Sequence, residues 1–263
     1  LRQDKDRLYG RGTADNKAQH LINIQAQECV IAARGKLGFN AAWLIEMGEE
    51  TGSPGLEAFF QENQDLLGAQ VLIASDGPRL SPDVPLVFLG ARGAINFTLS
   101  VELRKGAHHS GNWGGLLTDP SVILAHALST ITNARGQIQV PEWHPTSLTP
   151  DIRALIAKLP LPVGSAIDRD WGDAALTPQE RFYGWNAFVV LAMESGVPAA
   201  PVNAISGHAK ATCQLRFVTG TDVDDILPAL RRHLVRAGFP QVRIDRPDNG
   251  FFPATRSDPD NPW

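Results

Sequence analysis

Hydrophobic residues in the first part of the chain follow a helical period in some segments and form continuous runs in others. Between 16 and 34 they fall on one helical stripe, which predicts a helix that ends at Gly35. Continuous apolar runs at 41–45 and 71–74 predict strands that are buried on both faces. A second helix is predicted between them, from a cap at Ser53 to about 67. This alternation indicates a parallel sheet covered by helices.

A different pattern begins near residue 90. Residues 95–103 and 209–217 alternate between hydrophobic and polar side chains, which is typical of strands with one face on a core and the other in water. The other elements predicted here are two helices and a strand, at 120–134 (capped by Asp119), 222–237 and 242–244. We therefore expect a small α+β domain inserted into the parallel one.

Composition narrows the class of protein without identifying it. Hydrophobic residues make up 43% and charged residues 20%, as in ordinary globular proteins. The net charge of −4 gives no electrostatic reason to bind nucleic acid or an anionic membrane. No apolar run approaches the roughly 18–20 residues of a membrane helix. Cys29 and Cys213 lie far apart in apolar runs, which predicts reduced core thiols in a cytoplasmic protein.

Acidic residues occupy comparable positions in three segments. Glu49 and Glu50 follow the first predicted strand, Asp76 follows the second, and Asp15 lies in a glycine-rich turn before a helix. The carboxyl ends of parallel strands line the ligand crevice of an open sheet. Because grouped carboxylates repel one another unless a cation or a shared proton offsets the repulsion, this placement predicts a divalent metal site. A carboxylate that does not bind the metal can act as general base.

Each of these residues also has a purely structural interpretation. Asp15 alone could be a helix N-cap, and the sequence around Asp76 alone could be a turn. His109, among small residues after an amphipathic strand, is placed to reach a ligand, or is a loop histidine without a role. Arg216, on the polar side of its strand, could bind a carboxylate bidentately or be a solvated arginine.

Taken together, four segments resemble the motifs of the M20 family of metallopeptidases, which includes dipeptidases, carboxypeptidases and deacylases. They occur in the family's order, at 8–17, 47–53, 75–77 and 109–115. The resemblance implies an α/β fold, with a parallel-sheet, zinc-peptidase-like catalytic domain and an inserted α+β ferredoxin-like lid and dimerisation domain. The catalytic domain would occupy 1–89, the lid 90–252, and the return into the catalytic domain 253–263.

The resemblance also implies roles for single residues in the catalytic domain. Asp15 would bridge two zinc ions, Glu50 would bind one zinc and Asp76 the other. Glu49 would be the general base that takes a proton from the bridging water and returns it to the leaving amine. Co²⁺ or Mn²⁺ could replace zinc, because carboxylate-rich sites accept several of these ions.

Three residues of the lid receive roles in the same way. His109 resembles the histidine that reaches the active site of the partner subunit and stabilises the oxyanion. Arg216 resembles the arginine that binds the terminal carboxylate of the substrate, and Asn186 resembles an asparagine that contacts the substrate. The family's lid also dimerises, so we expect a homodimer through 90–252.

The sequence departs from the family pattern at both ends. The family has a His-x-Asp motif upstream of the Gly10-Arg11-Gly12 turn and a metal-binding histidine near the end of the catalytic domain, and neither is present. We therefore expect a fragment with an incomplete catalytic domain, weak metal binding and little activity, from an intact protein that is an enzyme.

Two hypotheses from different functional classes follow. The first is a di-zinc hydrolase that cleaves an amide bond of a dipeptide, a C-terminal amino acid or an N-acyl amino acid. The second is a non-catalytic dimerisation or binding module with a vestigial metal site. The presence or absence of the two histidine motifs in the full-length sequence distinguishes them.

Overall fold

The two hydrophobic patterns of the sequence fall in two separate units of the chain. The structure, a computed structural model, describes residues 1–77, 85–161, 167–247, 250–258 and 260–262. The N-terminal unit comprises Leu1–Pro85 together with Pro262, and the C-terminal unit comprises Leu86–Asn261.

The N-terminal unit contains short strands and three helices. These elements are β1 (Arg2–Asp4), β2 (Arg7–Tyr9), α1 (Lys17–Arg34), α2 (Leu56–Glu62) and α3 (Gln64–Leu67). The prediction of α1 is confirmed, including its end at Gly35, which adopts a left-handed φ of 76°.

The second predicted helix begins later than expected and is interrupted. Gly55 precedes α2 in place of the predicted cap Ser53, and Asn63 separates α2 from α3. Ser53 has a left-handed φ of 50°, whereas an N-cap residue has an extended backbone, and its N–H closes the preceding turn by donating to the Gly48 carbonyl at 2.9 Å. The predicted cap was therefore wrong, because the preceding turn holds Ser53 in a conformation that does not cap a helix.

The two buried strands predicted in this unit are wrong for the described residues. Segments 41–45 and 71–74 form no strand and are largely exposed. The strand pairing found in this unit among the described residues is the antiparallel ladder of β1 and β2. A hydrophobic run becomes a strand only where a neighbouring strand takes up its backbone hydrogen bonds, and no described segment pairs with these two.

The C-terminal unit is built on a five-stranded antiparallel sheet. The described strands of the whole unit are β3 (Gly90–Ala91), β4 (Gly93–Glu102), β5 (His108–His109), β6 (Ala187–Ser195), β7 (Ala204–Ile205), β8 (His208–Phe217), β9 (Arg243–Asp245), β10 (Phe251–Phe252) and β11 (Thr255–Arg256). Its helices are α4 (Ser110–Trp113), α5 (Pro120–Ile131), α6 (Pro150–Ile156), α7 (Pro178–Tyr183) and α8 (Ile226–Arg236). The sheet consists of β10, β4, β8 and β6 in that order, with β9 also paired to β4. The central ladder joins β4 and β8 from Gly93 opposite Phe217 to Glu102 opposite His208.

The order of the main elements is β4, α5, β6, β8, α8 and β9, with β9, β4, β8 and β6 adjacent in space. This is a ferredoxin-like βαββαβ arrangement. The alternation of hydrophobic and polar residues explains this arrangement, because the apolar positions of β4 and β8 all face one core that α5 and α8 cover. Side chains such as Leu99, Leu215 and Leu230 are fully buried there. The opposite face of the sheet carries the polar positions.

The two cysteines differ in environment. Cys213 lies in the core of the C-terminal unit, where burial raises the pKa of its thiol to about 12, so it is an inert core residue as predicted. Cys29 is exposed on α1, so its assignment as a core thiol was wrong, because α1 has no buried residue in this structure.

In the described part of the chain, no helix is both long and apolar enough to cross a bilayer.

Candidate functional site

A tight turn before α1 presents Asp15. Gly12 adopts a left-handed φ of 79°, and its carbonyl accepts from the backbone N–H of Lys17 at 2.9 Å, which closes the turn onto the helix. Asn16, and not Asp15, occupies the N-cap position, and the peptide bond between them is cis. The interpretation of Asp15 as a helix cap is therefore excluded, and its carboxylate is not used in capping.

The loop that carries Asp76 is held by the first turns of α1. The Nδ2 atom of Asn16 donates to the Ser75 carbonyl and, at 3.5 Å, to Oδ1 of Asp76. The Nδ2 atom of Asn23 donates to the Ser75 hydroxyl, and Nε2 of Gln19 donates to the Gly77 carbonyl at 3.5 Å. The structure thus brings Asp15 and Asp76 to the same end of α1.

Sequence reasoning missed these three amide side chains. They lie at 16, 19 and 23, which is the i, i+3, i+7 spacing of one helix face. A polar stripe of amides on a helix whose other positions are largely apolar was the available signal, because amides on one face indicate hydrogen bonds to another segment.

Glu49 and Glu50 lie on a single 3-10 turn, Glu49–Thr51, bounded by glycines. Burial raises the pKa of Glu49, and the negative charges of Asp76, Glu50 and Asp15 raise it further. These charges act on Glu49 because Asp15, Glu50 and Asp76 lie within electrostatic range of it. The four acidic residues that the sequence singled out in this unit are therefore neighbours.

The donor chemistry of this group fits a divalent cation. Carboxylate oxygens are hard ligands, and a cation would offset the repulsion that the pKa of Glu49 reports. Among the described residues, however, no three histidine, cysteine, aspartate or glutamate side chains converge closely enough to hold a metal ion. The ligand types are therefore suitable for a divalent metal, but the described side chains alone do not form a site with three ligands.

His109, in the C-terminal unit, ends β5 and caps α4. Its Nδ1 accepts from the backbone N–H of Gly111 at 3.1 Å, so the neutral ring carries its proton on Nε2. A Cβ atom at position 111 would lie 2.9 Å from Cε1 of His109, so a larger residue there would displace the exposed ring. The side chain is exposed, with Nε2–H as a donor.

Arg216 lies on the polar face of β8 and is exposed. Its Nε donates to Oε1 of Gln214 at 2.9 Å, and Nε2 of Gln214 donates to Oδ1 of Asn96 at 2.8 Å. This chain of hydrogen bonds orients the guanidinium along the sheet face.

Asn186 is buried, with 4% of its surface exposed. Its Nδ2 donates to the Trp143 carbonyl and, at 2.9 Å, to Oγ1 of Thr221, while Oδ1 accepts from the backbone N–H of Val218 at 2.9 Å. The amide is therefore fully used within the protein, which favours a structural role for Asn186 over the predicted contact with substrate.

Comparison with known sequences gives a family match over most of the chain. The model of peptidase family M20/M25/M40 matches residues 1–248. The Beta-Ala-His dipeptidase of Rattus norvegicus is 35% identical over 137 residues, which are 51% of this chain and 28% of that protein. The Cys-Gly metallodipeptidase DUG1 of Candida albicans is 33% identical over 146 residues, 53% of this chain and 29% of that protein.

Solved structures share the fold. The M20 family metallo-carboxypeptidase Sso-CP2 from Sulfolobus solfataricus matches with a TM-score of 0.75 and 24% identity, over 98% of this chain and 60% of that one. Human carnosine dipeptidase 1 matches with a TM-score of 0.68 and 21% identity, over 98% of this chain and 58% of that one. The chain thus has the mixed α/β fold of these proteins and spans less than two thirds of their length.

Proposed function

The chain belongs to peptidase family M20/M25/M40, and we propose that the protein is a metal-dependent hydrolase that cleaves an amide bond of a dipeptide, a C-terminal amino acid or an N-acyl amino acid. The observation that carries this proposal is that Asp15 and Asp76 lie at the same end of α1, with Glu49 and Glu50 within electrostatic range of them. The names of the similar dipeptidases support a peptide as substrate.

The proposed ligands are carboxylates from three segments of the N-terminal unit. Asp15 would bridge two zinc ions, with Glu50 on one and Asp76 on the other, and Co²⁺ or Mn²⁺ could substitute. When bound, such ions polarise the substrate carbonyl and lower the pKa of a coordinated water.

Glu49 is proposed as the general base. It is next in sequence to a proposed ligand but is not one itself, and its raised pKa reflects the same group of carboxylates. A raised pKa makes the Glu49 carboxylate a stronger acceptor for a proton from water than an ordinary glutamate, and its protonated form can then return that proton to the leaving amine.

His109 and Arg216 are proposed to act on the substrate from the C-terminal unit. The Nε2–H of His109 is a donor suited to a developing oxyanion, and the fixed Nδ1 acceptor keeps the ring in that tautomer. The Arg216 guanidinium is suited to the terminal carboxylate of the substrate, because its fork of donors matches two oxygens. Asn186 remains a weaker candidate for substrate contact, since its amide is occupied.

The residues 90–252 are proposed to form a lid that also dimerises. The edge strand β6 supports this, because it pairs on one side with β8 and carries exposed hydrophobic side chains, namely Val189, Val190, Leu191 and Met193. An exposed apolar edge strand is a template for pairing with another chain, which a homodimer would cover.

A second candidate function is a non-catalytic dimerisation or binding module with an incomplete metal site. It is favoured by one observation, the lack of a three-ligand group among the described residues. Metal content separates the two candidates, since a vestigial site would bind zinc weakly or not at all.

The test is a hydrolysis screen on the full-length protein with dipeptides, N-acetyl amino acids and N-succinyl amino acids, together with metal analysis. Glu49→Ala is expected to lower turnover by several orders of magnitude and leave the zinc content near that of the wild type. Glu57→Ala, which removes an exposed carboxylate on α2, is the matched control. Unchanged turnover in Glu49→Ala would contradict the proposal.

The action of His109 across subunits has its own test. Heterodimers that carry Glu49→Ala on one subunit and His109→Ala on the other should keep about half of the wild-type activity, because one composite site stays intact. Equal, near-zero activity in the mixed and unmixed mutants would contradict a site shared between subunits.

A further inference from the structure

Arg92, between β3 and β4, is a half-buried arginine with unused donors. Its Nη1 donates to the Phe182 carbonyl at 3.4 Å. Its Nε and Nη2 atoms are buried and have no hydrogen-bond partner. These two atoms form the side edge of the guanidinium, where two parallel N–H groups can bind both oxygens of one carboxylate. Leaving buried cationic donors without an acceptor costs free energy, and an anion bound at this edge would remove that cost.

A second cation lies on the same face of the sheet. Arg216 on β8 stands opposite Ala94 of β4 and Ala187 of β6, two small residues. Arg92 precedes Ala94 by two residues, which places it toward that face. Because Ala94 is the register partner of Arg216, Arg92 and Arg216 lie on neighbouring segments of the sheet. Burial lowers the pKa of Arg92, and the positive charge of Arg216 lowers it further.

The pair has no anion of its own in the described part of the chain. The ion pairs found there involve other arginines and lysines, and neither Arg92 nor Arg216 belongs to any of them. The Nε of Arg216 is occupied by Gln214, which leaves its terminal Nη groups for a ligand. Two adjacent guanidinium groups, one with an unpaired bidentate edge and one oriented by a glutamine, form a site for a negatively charged group.

We propose that Arg92 and Arg216 together bind a single carboxylate group, and that Arg92 is a second substrate-binding residue beside Arg216. The inference rests on the proposed function, because the substrates of that function carry a terminal carboxylate. A carboxylate suits the pair since its two oxygens can accept from both guanidinium groups at once. Arg92 would then determine the preference for substrates with a free carboxylate.

The test measures binding without hydrolysis. N-acetylglycine is titrated into the full-length protein that carries Glu49→Ala, which lacks the proposed general base and so does not consume the ligand, and binding is followed through the ¹⁵N–¹H signals of the arginine Nε groups. N-acetylglycinamide, which lacks the charge, is the control ligand and should not bind. Arg92→Gln is expected to weaken binding of N-acetylglycine by about tenfold or more. Arg243→Gln, which removes an exposed arginine on β9, should leave binding unchanged.

Unchanged binding in Arg92→Gln, at the melting temperature of the wild type, would overturn the proposal. If Arg92→Gln does not fold, Arg92→Lys is used instead, because it keeps the buried positive charge but lacks the paired N–H donors of the guanidinium. Binding weakened by about tenfold in Arg92→Lys supports the proposal, and undiminished binding overturns it. Inorganic phosphate bound as tightly as N-acetylglycine would overturn the assignment to a carboxylate.

The outcomes also separate this proposal from the proposed function. Binding of N-acetylglycine that depends on Arg92, in a protein that hydrolyses none of the substrates, would support the carboxylate site and reject the hydrolase. Hydrolysis with an unchanged KM and unchanged binding in Arg92→Gln would support the hydrolase and reject the role of Arg92.

Discussion

Asn16 donates from Nδ2 to Oδ1 of Asp76 at 3.5 Å, and the same amide also donates to the carbonyl of the preceding residue, Ser75. The residue that follows Asp15 therefore holds the loop that carries Asp76. Two proposed metal ligands that are far apart in sequence thus depend on one amide side chain.

We predict that Asn16→Ala weakens zinc binding by about 10- to 100-fold, because residues that orient metal ligands have effects of this size. The measurement is a competition titration of the full-length protein against a zinc chelator. Asn63→Ala is the control, since the Asn63 amide donates to the Phe59 carbonyl, away from the carboxylates. Equal zinc affinity in Asn16→Ala and wild type would show that the hydrogen bond does not support the site.

A second prediction concerns Gly111 and the orientation of His109. Gly111→Ala would place a Cβ atom 2.9 Å from Cε1 of His109, so the ring must shift. A displaced oxyanion donor is expected to lower kcat by about 10- to 100-fold, while an exposed ring can move without much loss of stability. The measurement is kcat with the melting temperature alongside.

Gly38→Ala serves as the control for this substitution, because a Cβ atom there meets nothing within 4 Å. A wild-type kcat in Gly111→Ala would argue against His109 as a donor to the substrate.

The sequence predicted the C-terminal unit better than the N-terminal one, for a physical reason. In β4 and β8 each hydrophobic position faces a core within the same unit, so the positions that the sequence period marks as apolar are the ones that are buried. The runs at 41–45 and 71–74 have the composition of buried strands, but a strand needs a pairing partner that lies outside its own sequence. Periodicity reports which face is apolar and not which segment pairs with it.

The candidate site shows the same limit. The sequence indicated the acidic residues because carboxylates directly after apolar runs are uncommon, and in the structure Asp15, Glu50 and Asp76 lie within electrostatic range of Glu49. Arg92 was not found, because an arginine before a strand has no distinctive spacing. Only its burial and its unpaired Nε and Nη2 atoms, which depend on tertiary packing, distinguish it from a solvated arginine.

A third prediction concerns pH and Glu180, which forms a capping box with Thr177 at the start of α7. Burial alone would raise the pKa of Glu180, but hydrogen bonds from the Thr177 backbone N–H and from Arg153 outweigh it, so the pKa lies below its ordinary value of 4.5. A lowered pKa stabilises the fold at pH values above that of the unfolded state, and this contribution is lost as the pH falls below about 4.5.

Glu180→Gln should therefore lower the free energy of unfolding by about 1 kcal/mol at pH 7, with the difference from wild type shrinking toward pH 3. Urea denaturation at the two pH values measures it. Glu194→Gln is the control, because Glu194 and Lys210 form an exposed pair at 3.7 Å that should contribute little at either pH. A difference that grows toward low pH would contradict the sign derived for Glu180.

The last prediction decides between two roles for Asn186. Its buried amide joins the Trp143 carbonyl, the Thr221 hydroxyl and the Val218 N–H, so Asn186→Ala leaves buried groups without partners. Such groups cost about 1–3 kcal/mol each, and we expect a total loss of roughly 2–4 kcal/mol. In a unit of this size that loss lowers the melting temperature by roughly 5–15 °C.

Thermal unfolding and KM, measured on the same preparations, distinguish the two roles. A structural residue lowers the melting temperature and leaves KM near the wild-type value at temperatures where the protein is folded. A residue that contacts substrate raises KM with little change in stability, because the lost interaction is with the ligand. Asn203→Ala is the matched control, since its exposed side chain makes no hydrogen bond in the described part of the chain. A raised KM at an unchanged melting temperature in Asn186→Ala would restore the contact with substrate that the sequence predicted.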